Sequence, residues 1–306
     1  PPSGTTEQRG RGRGFFVGGN NPTYFSNIDT VQISSQGNAI RFGDLSVARA
    51  QTYGAANSTR GIVFGSYDGS SNGNLLEAFD TTTGADAIDF GNLLGSTARR
   101  GIMGMASNTR AIAAGGSTPS RDNTIQYVTM ATTGNVADFG DLTVARGSSA
   151  NGASNTRAIC CGGATSPATN VIDYVTISTV GNATDFGDLT AAAKEVGSLT
   201  SSTRFVRLGG RTESSPNNTN VMDYVTIAST GNATDFGDLS AAKRDVAGIS
   251  NSVRGLAMGG GTPTTINVIE YITIDSTGNA TDYGDLVDTR RNGTGVGNGH
   301  GGLVGG

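Results

Sequence analysis

Thr184-Asp185-Phe186-Gly187-Asp188-Leu189 returns letter for letter at residues 234–239, and returns with Tyr in place of Phe at residues 281–286. Looser copies stand at residues 40–45, 88–93 and 137–142. The aromatic residue of each copy falls at Phe42, Phe90, Phe139, Phe186, Phe236 and Tyr283, so the successive intervals are 48, 49, 47, 50 and 47 residues. A near-constant period of about 50, with strand signals inside every unit, is the signature of a propeller blade. The expected class is all-β: six blades of about 50 residues, four strands to a blade.

Residues 147–194 show how one unit is built. Residues 147–154 are small and polar and read as the first strand, a. Asn155-Thr156-Arg157 turns the chain into an apolar strand b, Ala158 to Cys161, which Gly162-Gly163 closes. Residues 170–177 alternate as strand c, with Ile172 and Tyr174 on one face and Val171, Asp173 and Val175 on the other. Gly181-Asn182 supplies the positive φ of a tight turn before strand d. The Arg that opens strand b recurs at Arg13, Arg60, Arg110, Arg157, Arg204 and Arg254. The closing Gly-Gly recurs in every unit except the second, which has Gly65-Ser66 and one extra residue before Phe90.

A strand b closed by Gly-Gly, a Tyr in strand c, an aromatic residue in strand d and a following Arg resemble the kelch repeat over residues 9–306. Kelch strand d usually carries Trp, and this chain has none; the Phe or Tyr of the repeated phrase stands in its place. The phrasing from Met222 to Leu239, M-D-Y-V-T-I-A-S-T-G-N-A-T-D-F-G-D-L, is also similar to repeat proteins of tailed phages of marine bacteria. That resemblance implies a virion or tail-associated protein, assembled in the host cytoplasm. Its partners would be other virion subunits and a host surface receptor or glycan.

The chain starts on a strand b, near residues 12–19, without a strand a before it. Residues 292–298 match a strand a. The C-terminal segment is therefore expected to complete the first blade beside the N-terminal strand, which removes open sheet edges. Residues 300–306 match a second, surplus strand b, expected to fray or to pair with a neighbouring molecule. Residues 1–8 read as a flexible leader and 9–306 as one propeller.

Composition narrows the chemistry. A net charge of −4 with 15% charged residues is too mild to argue for nucleic acid. Arg9, Arg11 and Arg13 between glycines are a weak RNA-binding signal beside a solvated strand start. No run of about 18 apolar residues predicts a spanning helix. Cys160 and Cys161 are adjacent; on a strand they point to opposite faces and should not bridge. They read as small buried hydrophobes. No zinc spacing exists, and the single His300 cannot furnish a copper site of two His and two Tyr, nor readily a Ser-His-Asp triad. Neither metal nor cofactor is expected. Asp185/Asp188 and their copies could serve as a glycosidase acid and base, but a catalytic pair should occur once. Acids present in nearly every unit solve a problem that every unit has. Asp188, Asp238 and Asp285, the aromatic residues of the phrase, and Arg110, Arg157, Arg204 and Arg254 are therefore assigned to structure. A ring of ion pairs or Asp-to-backbone bonds between blades is expected, with Arg49, Arg146, Lys194 and Arg290 after strand d. Asn-x-Thr at Asn182, Asn232 and Asn279 coincides with the c–d turns and is turn chemistry first.

The a–b and c–d turns are nearly identical and share one face of the disc. The b–c loops, at 20–27, 66–73, 117–123, 164–170, 211–220 and 261–267, differ and share the other. Loops on a rigid scaffold carry recognition, which makes Tyr24, Phe25, Tyr67, Asp68, Arg121, Arg211 and Glu213 candidate binding residues. The favoured reading is a non-enzymatic structural or recognition module. A carbohydrate-binding lectin is the alternative, weakened by the missing Trp. An enzyme is disfavoured by the shortage of His and the repetition of the acids.

Overall fold

The computed structural model describes residues 12–94, 98–214 and 217–298. The expected leader, His300 and the surplus C-terminal strand lie outside these residues. Six antiparallel sheets of four strands form the blades of a β-propeller. The innermost strands, Tyr53–Ala56, Met103–Ala106, Ala150–Ala153, Gly197–Thr200, Ala247–Ser250 and Thr294–Gly297, each pack beside two others and close the ring. In the first blade Thr294–Gly297 pairs with Arg13–Val17, which pairs with Asn27–Gln32. The N-terminal strand thus takes the b position and the C-terminal strand the a position, as the missing strand a required. No helix long and apolar enough to cross a membrane is present among the described residues.

The repeated phrase is a β-bulge. In all six blades the c–d register slips by one at the phrase; Ile172 faces Gly187 while Asp173 faces Asp185, leaving Phe186 unpaired. The extra residue turns the aromatic ring into the core between blades. Phe186 there meets Tyr174 edge-on, with centroids 5.8 Å apart; Phe139/Tyr127, Phe236/Tyr224 and Tyr283/Tyr271 repeat the contact. Blades one and two have Thr30 and Ala78 where the others have Tyr. Phe79 fills that space, packing edge-on to Phe15 and Phe42, and Arg60 stacks directly on Phe90. Cys160 and Cys161 are buried, free and in different inter-blade cores. Burial pushes the Cys160 thiol up to about 12, so it is a packing residue at neutral pH.

Each blade is tied to the next on the c–d face. The Gly231 N–H donates to the Phe186 carbonyl at 2.8 Å, and the Asp188 N–H donates to Asn232 Oδ1 at 3.0 Å. Equivalent Asn bonds are made by the N–H groups of Asn92, Asp141, Asp238 and Asp285. The expected Asp-to-backbone bond therefore runs the other way: the Asp backbone donates, and the partly exposed carboxylates of Asp188, Asp238 and Asp285 form no ion pair with the described residues. The glycine of the phrase is needed for this approach. A Cβ on Gly187, at φ +145°, would sit 2.5 Å from the Gly231 carbonyl oxygen. The strand-b arginines complete the tie. Arg110, Arg157, Arg204 and Arg254 lie over Tyr127, Tyr174, Tyr224 and Tyr271 at 4.6–4.7 Å and donate to carbonyls of the following blade.

Beneath the opposite face lies a second set of ties. The strand-c residue before the Tyr position, Asp29, Glu77, Gln126, Asp173, Asp223 or Glu270, is buried. Asp173 receives Arg146 from the preceding blade at 2.8 Å together with the Thr143 hydroxyl at 2.6 Å. Arg49–Glu77, Lys243–Glu270 and Arg290–Asp29 repeat the arrangement. Lys194 does not. The position equivalent to Arg146 is Ala193, and Lys194 reaches the surface, where it pairs with Glu213 at 2.7 Å. The fifth blade supplies its cation from strand b: Arg207 binds Asp223 through two nitrogens at 2.7 and 2.8 Å. Arg207 occupies the register position that Cys160 holds in the fourth blade. At the third blade, Gln126 replaces the acid and Arg99 turns to Asp122 at 3.3 Å.

Candidate functional site

The b–c face holds more than the b–c loops, because the connections from each strand d to the next strand a end on it too. They converge on the mouth of the central channel. Two residues before each inner strand stands Gln51, Gly101, Ser148, Glu195, Asp245 or Asn292, and all six have φ between +52° and +64°. The cause is a rim of backbone hydrogen bonds. Each of Gln51, Gly101, Ser148, Glu195 and Asp245 donates its N–H to the carbonyl of the preceding member at 2.7–3.2 Å. The left-handed conformation aims each peptide along the rim. Below it the channel is narrow, a cavity of about 280 Å³ between the inner strands. Asn151, Ser198 and Ser250 lace neighbouring inner strands together through side chain to backbone bonds.

The mouth is charged. Arg100, Lys194, Arg244 and Arg291 come from the connections, and Arg121 and Arg211 from b–c loops. Against these six cations stand three acids, Glu195, Glu213 and Asp245. Glu195 accepts from Arg244 at 2.8 Å and lies 3.9 Å from Arg211. Asp245, with an 11% exposed side chain, lies 3.9 Å from Arg244. Burial, and then the negative charge of Glu195, push the Asp245 carboxyl up to about 7, against the opposing pull of Arg244, Arg291 and Arg211. Among the described residues no group of three His, Cys, Asp or Glu side chains is placed to hold a metal ion.

The sequence candidates separate into three groups. Phe25 turns inward, its ring 5.3 Å from the guanidinium carbon of the buried Arg290. Tyr24 and Tyr67 meet edge-on at 6.0 Å. Tyr24 lies against Gly69, where an added Cβ would come within 2.7 Å of the ring, and Arg100 covers Tyr67 at 4.9 Å. Asp68 caps its own loop by accepting from Ser70 and Ser71, and these bonds hold its carboxyl well below the usual range. These residues shape the loop. Arg121, Arg211 and Glu213 converge on a cavity of about 720 Å³ between the third, fourth and fifth blades, together with Arg100, Lys194 and Glu195. Glu213 there accepts from Lys194 and from the Ala168 N–H at 3.1 Å.

The connection residues at the mouth were not among the sequence candidates. Their signal is visible in the alignment of the units: the residue two positions before strand a is Gln, Gly, Ser or Asn in four units but Glu195 and Asp245 in two. Compared with family models and with curated proteins, the chain matches none.

Proposed function

We propose that this chain is a non-enzymatic recognition module with kelch-like blades, carried on a tailed-phage particle, that presents its b–c face to a host receptor or to sibling subunits. One observation carries the reading. The c–d turns make the same tie between blades in nearly every unit, whereas the side chains of the b–c loops and of the mouth, and the contacts they make, differ from unit to unit. A rigid ring with one divergent face is suited to binding. The similarity of Met222 to Leu239 to phage repeat proteins supports the particle as its setting. Among the acids, the repeated ones flank a structural bulge, which supports a non-catalytic role for them.

A second reading, a lectin, is favoured by the polar, cation-rich cavity, although the rings of Tyr24 and Tyr67 are already covered. Imaging of the particle at side-chain resolution tests the main reading. Discs seated with the b–c face outward or against sibling subunits are expected. Absence from the particle, or discs attached by the mouth to an internal component, overturns it.

A further inference from the structure

The cavity beside the mouth combines four cations with two acids, so it carries a local charge of +2 in a chain of net −4. Its acids are engaged: Glu213 with Lys194 at 2.7 Å, and Glu195 with Arg244 at 2.8 Å and Arg211 at 3.9 Å. Arg100 and Arg121 have no described carboxylate within ion-pair distance, and both are held in place. The Arg100 guanidinium carbon lies 4.9 Å from the centre of the Tyr67 ring, and the Arg100 backbone pairs with the Ser117 backbone in both directions. Arg121 donates to the Ser117 hydroxyl. Two guanidiniums, each anchored by one contact and without a described carboxylate partner, thus line one cavity. A planar fork of this kind is matched to a carboxylate.

The remaining wall narrows the ligand further. It is rich in hydroxyl and amide groups, with Ser148, Ser166 and Gln51 against a little apolar surface from Ala164 and Pro167. A peptide would find no apolar subsite here. A long polyanion such as nucleic acid would gain from two charges and be repelled by the chain's overall −4. The volume, about 720 Å³, is that of a small-ligand site. From these we infer that the cavity binds an acidic sugar: a hydroxylated ring whose carboxylate is taken by Arg100 and Arg121 and whose hydroxyls meet the polar wall. This rests on the recognition reading, and names the chemistry that the variable face recognises.

Calorimetric titration of the full chain tests it with trigalacturonate and N-acetylneuraminate, against neutral maltotriose and an acidic tetraglutamate peptide. At least one acidic sugar is expected to bind about tenfold or more tighter than both controls, and to weaken between about 50 and 200 mM salt. The double variant Arg100→Ala/Arg121→Ala is expected to lose about tenfold or more in affinity. An unchanged melting temperature would show that it folds, and Arg121→Gln alone serves if it does not. Failure of both acidic sugars, equal binding of maltotriose or tetraglutamate, or undiminished binding by the folded variants overturns the inference. None of these outcomes bears on how the disc sits on the particle. A failed titration with outward-facing discs therefore removes this inference alone, and inward-facing discs remove the recognition reading itself.

Discussion

The two faces of the disc handle the same sequence repeat in opposite ways. On the c–d face, each blade must close against the next through a backbone approach that leaves no room for a side chain, and the phrase carries Gly at every copy: Gly43, Gly91, Gly140, Gly187, Gly237 and Gly284. At the mouth on the other face, six equivalent residues also have positive φ, yet only Gly101 is glycine. Both places would accept glycine, and only one insists on it. Repetition marks where geometry leaves a single answer, and divergence marks where a side chain is kept at a cost. The mouth is the part of the molecule where the chain spends stability on side chains.

The sharpest way to break the comparison is to attack the shared interior. Arg146→Ala strands Asp173 in the core, and loss of about 3–5 kcal/mol in chemical denaturation is expected. The fifth blade supplies the control. Adding Cys160→Arg places a guanidinium where Arg207 serves Asp223, and the double variant is expected to recover a substantial part of the loss. No recovery would mean that the two blades are not interchangeable solutions of one problem. Next in size is Gly187→Ala, whose Cβ meets the Gly231 carbonyl oxygen at 2.5 Å. A loss of about 3 kcal/mol is expected from the clash and the unfavourable φ together, measured by the same unfolding curves.

The sequence made the six-bladed ring legible because the aromatic residue of strand d must enter the core once per blade, and its spacing survives every loop change. The closure of the first blade was legible for a similar reason: a strand a was missing at one end and present at the other. Lys194 was assigned to the inner ties because a basic residue follows strand d there, and a one-residue offset is invisible without the register that puts Ala193 at the site. The compensating Arg207 could not be recognised alone, since it lies in an otherwise apolar strand b. At the candidate site, Arg121, Arg211 and Glu213 were reached by the argument that loops vary. The connection residues were not, because residues that precede a strand read as turn chemistry until the fold brings them around one axis.

Asp245 gives a pH test of the mouth. Its carboxyl is pushed up to about 7, facing Glu195 and Tyr53 as well as the guanidiniums of Arg244, Arg291 and Arg211. The folded state therefore keeps a proton that the unfolded chain releases above about pH 4. The sign follows: stability falls as pH rises from about 4 to about 7, and the deficit persists above that. Asp245→Asn keeps a residue that tolerates the left-handed backbone and removes the charge. At pH 8 it is expected to be more stable than the parent by on the order of 2 kcal/mol, with the difference vanishing near pH 4. A variant equally stable at both pH values would place the cost of the mouth elsewhere.

The smallest effect separates conformational cost from charge. Ser148 holds φ +53° and Gly101 holds φ +64° at neighbouring positions of the same rim. Ser148→Gly removes a left-handed side chain, worth about 1–2 kcal/mol, and returns about 0.5–1 kcal/mol to the greater freedom of the unfolded chain. A net gain of about 0.5 kcal/mol in unfolding free energy is expected. The reciprocal Gly101→Ser should lose about 1 kcal/mol, since its Cβ would lie 3.0 Å from the Ser148 hydroxyl oxygen as well as in the unfavourable region. If both variants were destabilising, the rim would be as exacting as the bulge at Gly187, and its divergence would need another cause. If Ser148→Gly stabilises while weakening capture of an acidic sugar, the rim keeps its side chains for the ligand and against its own stability.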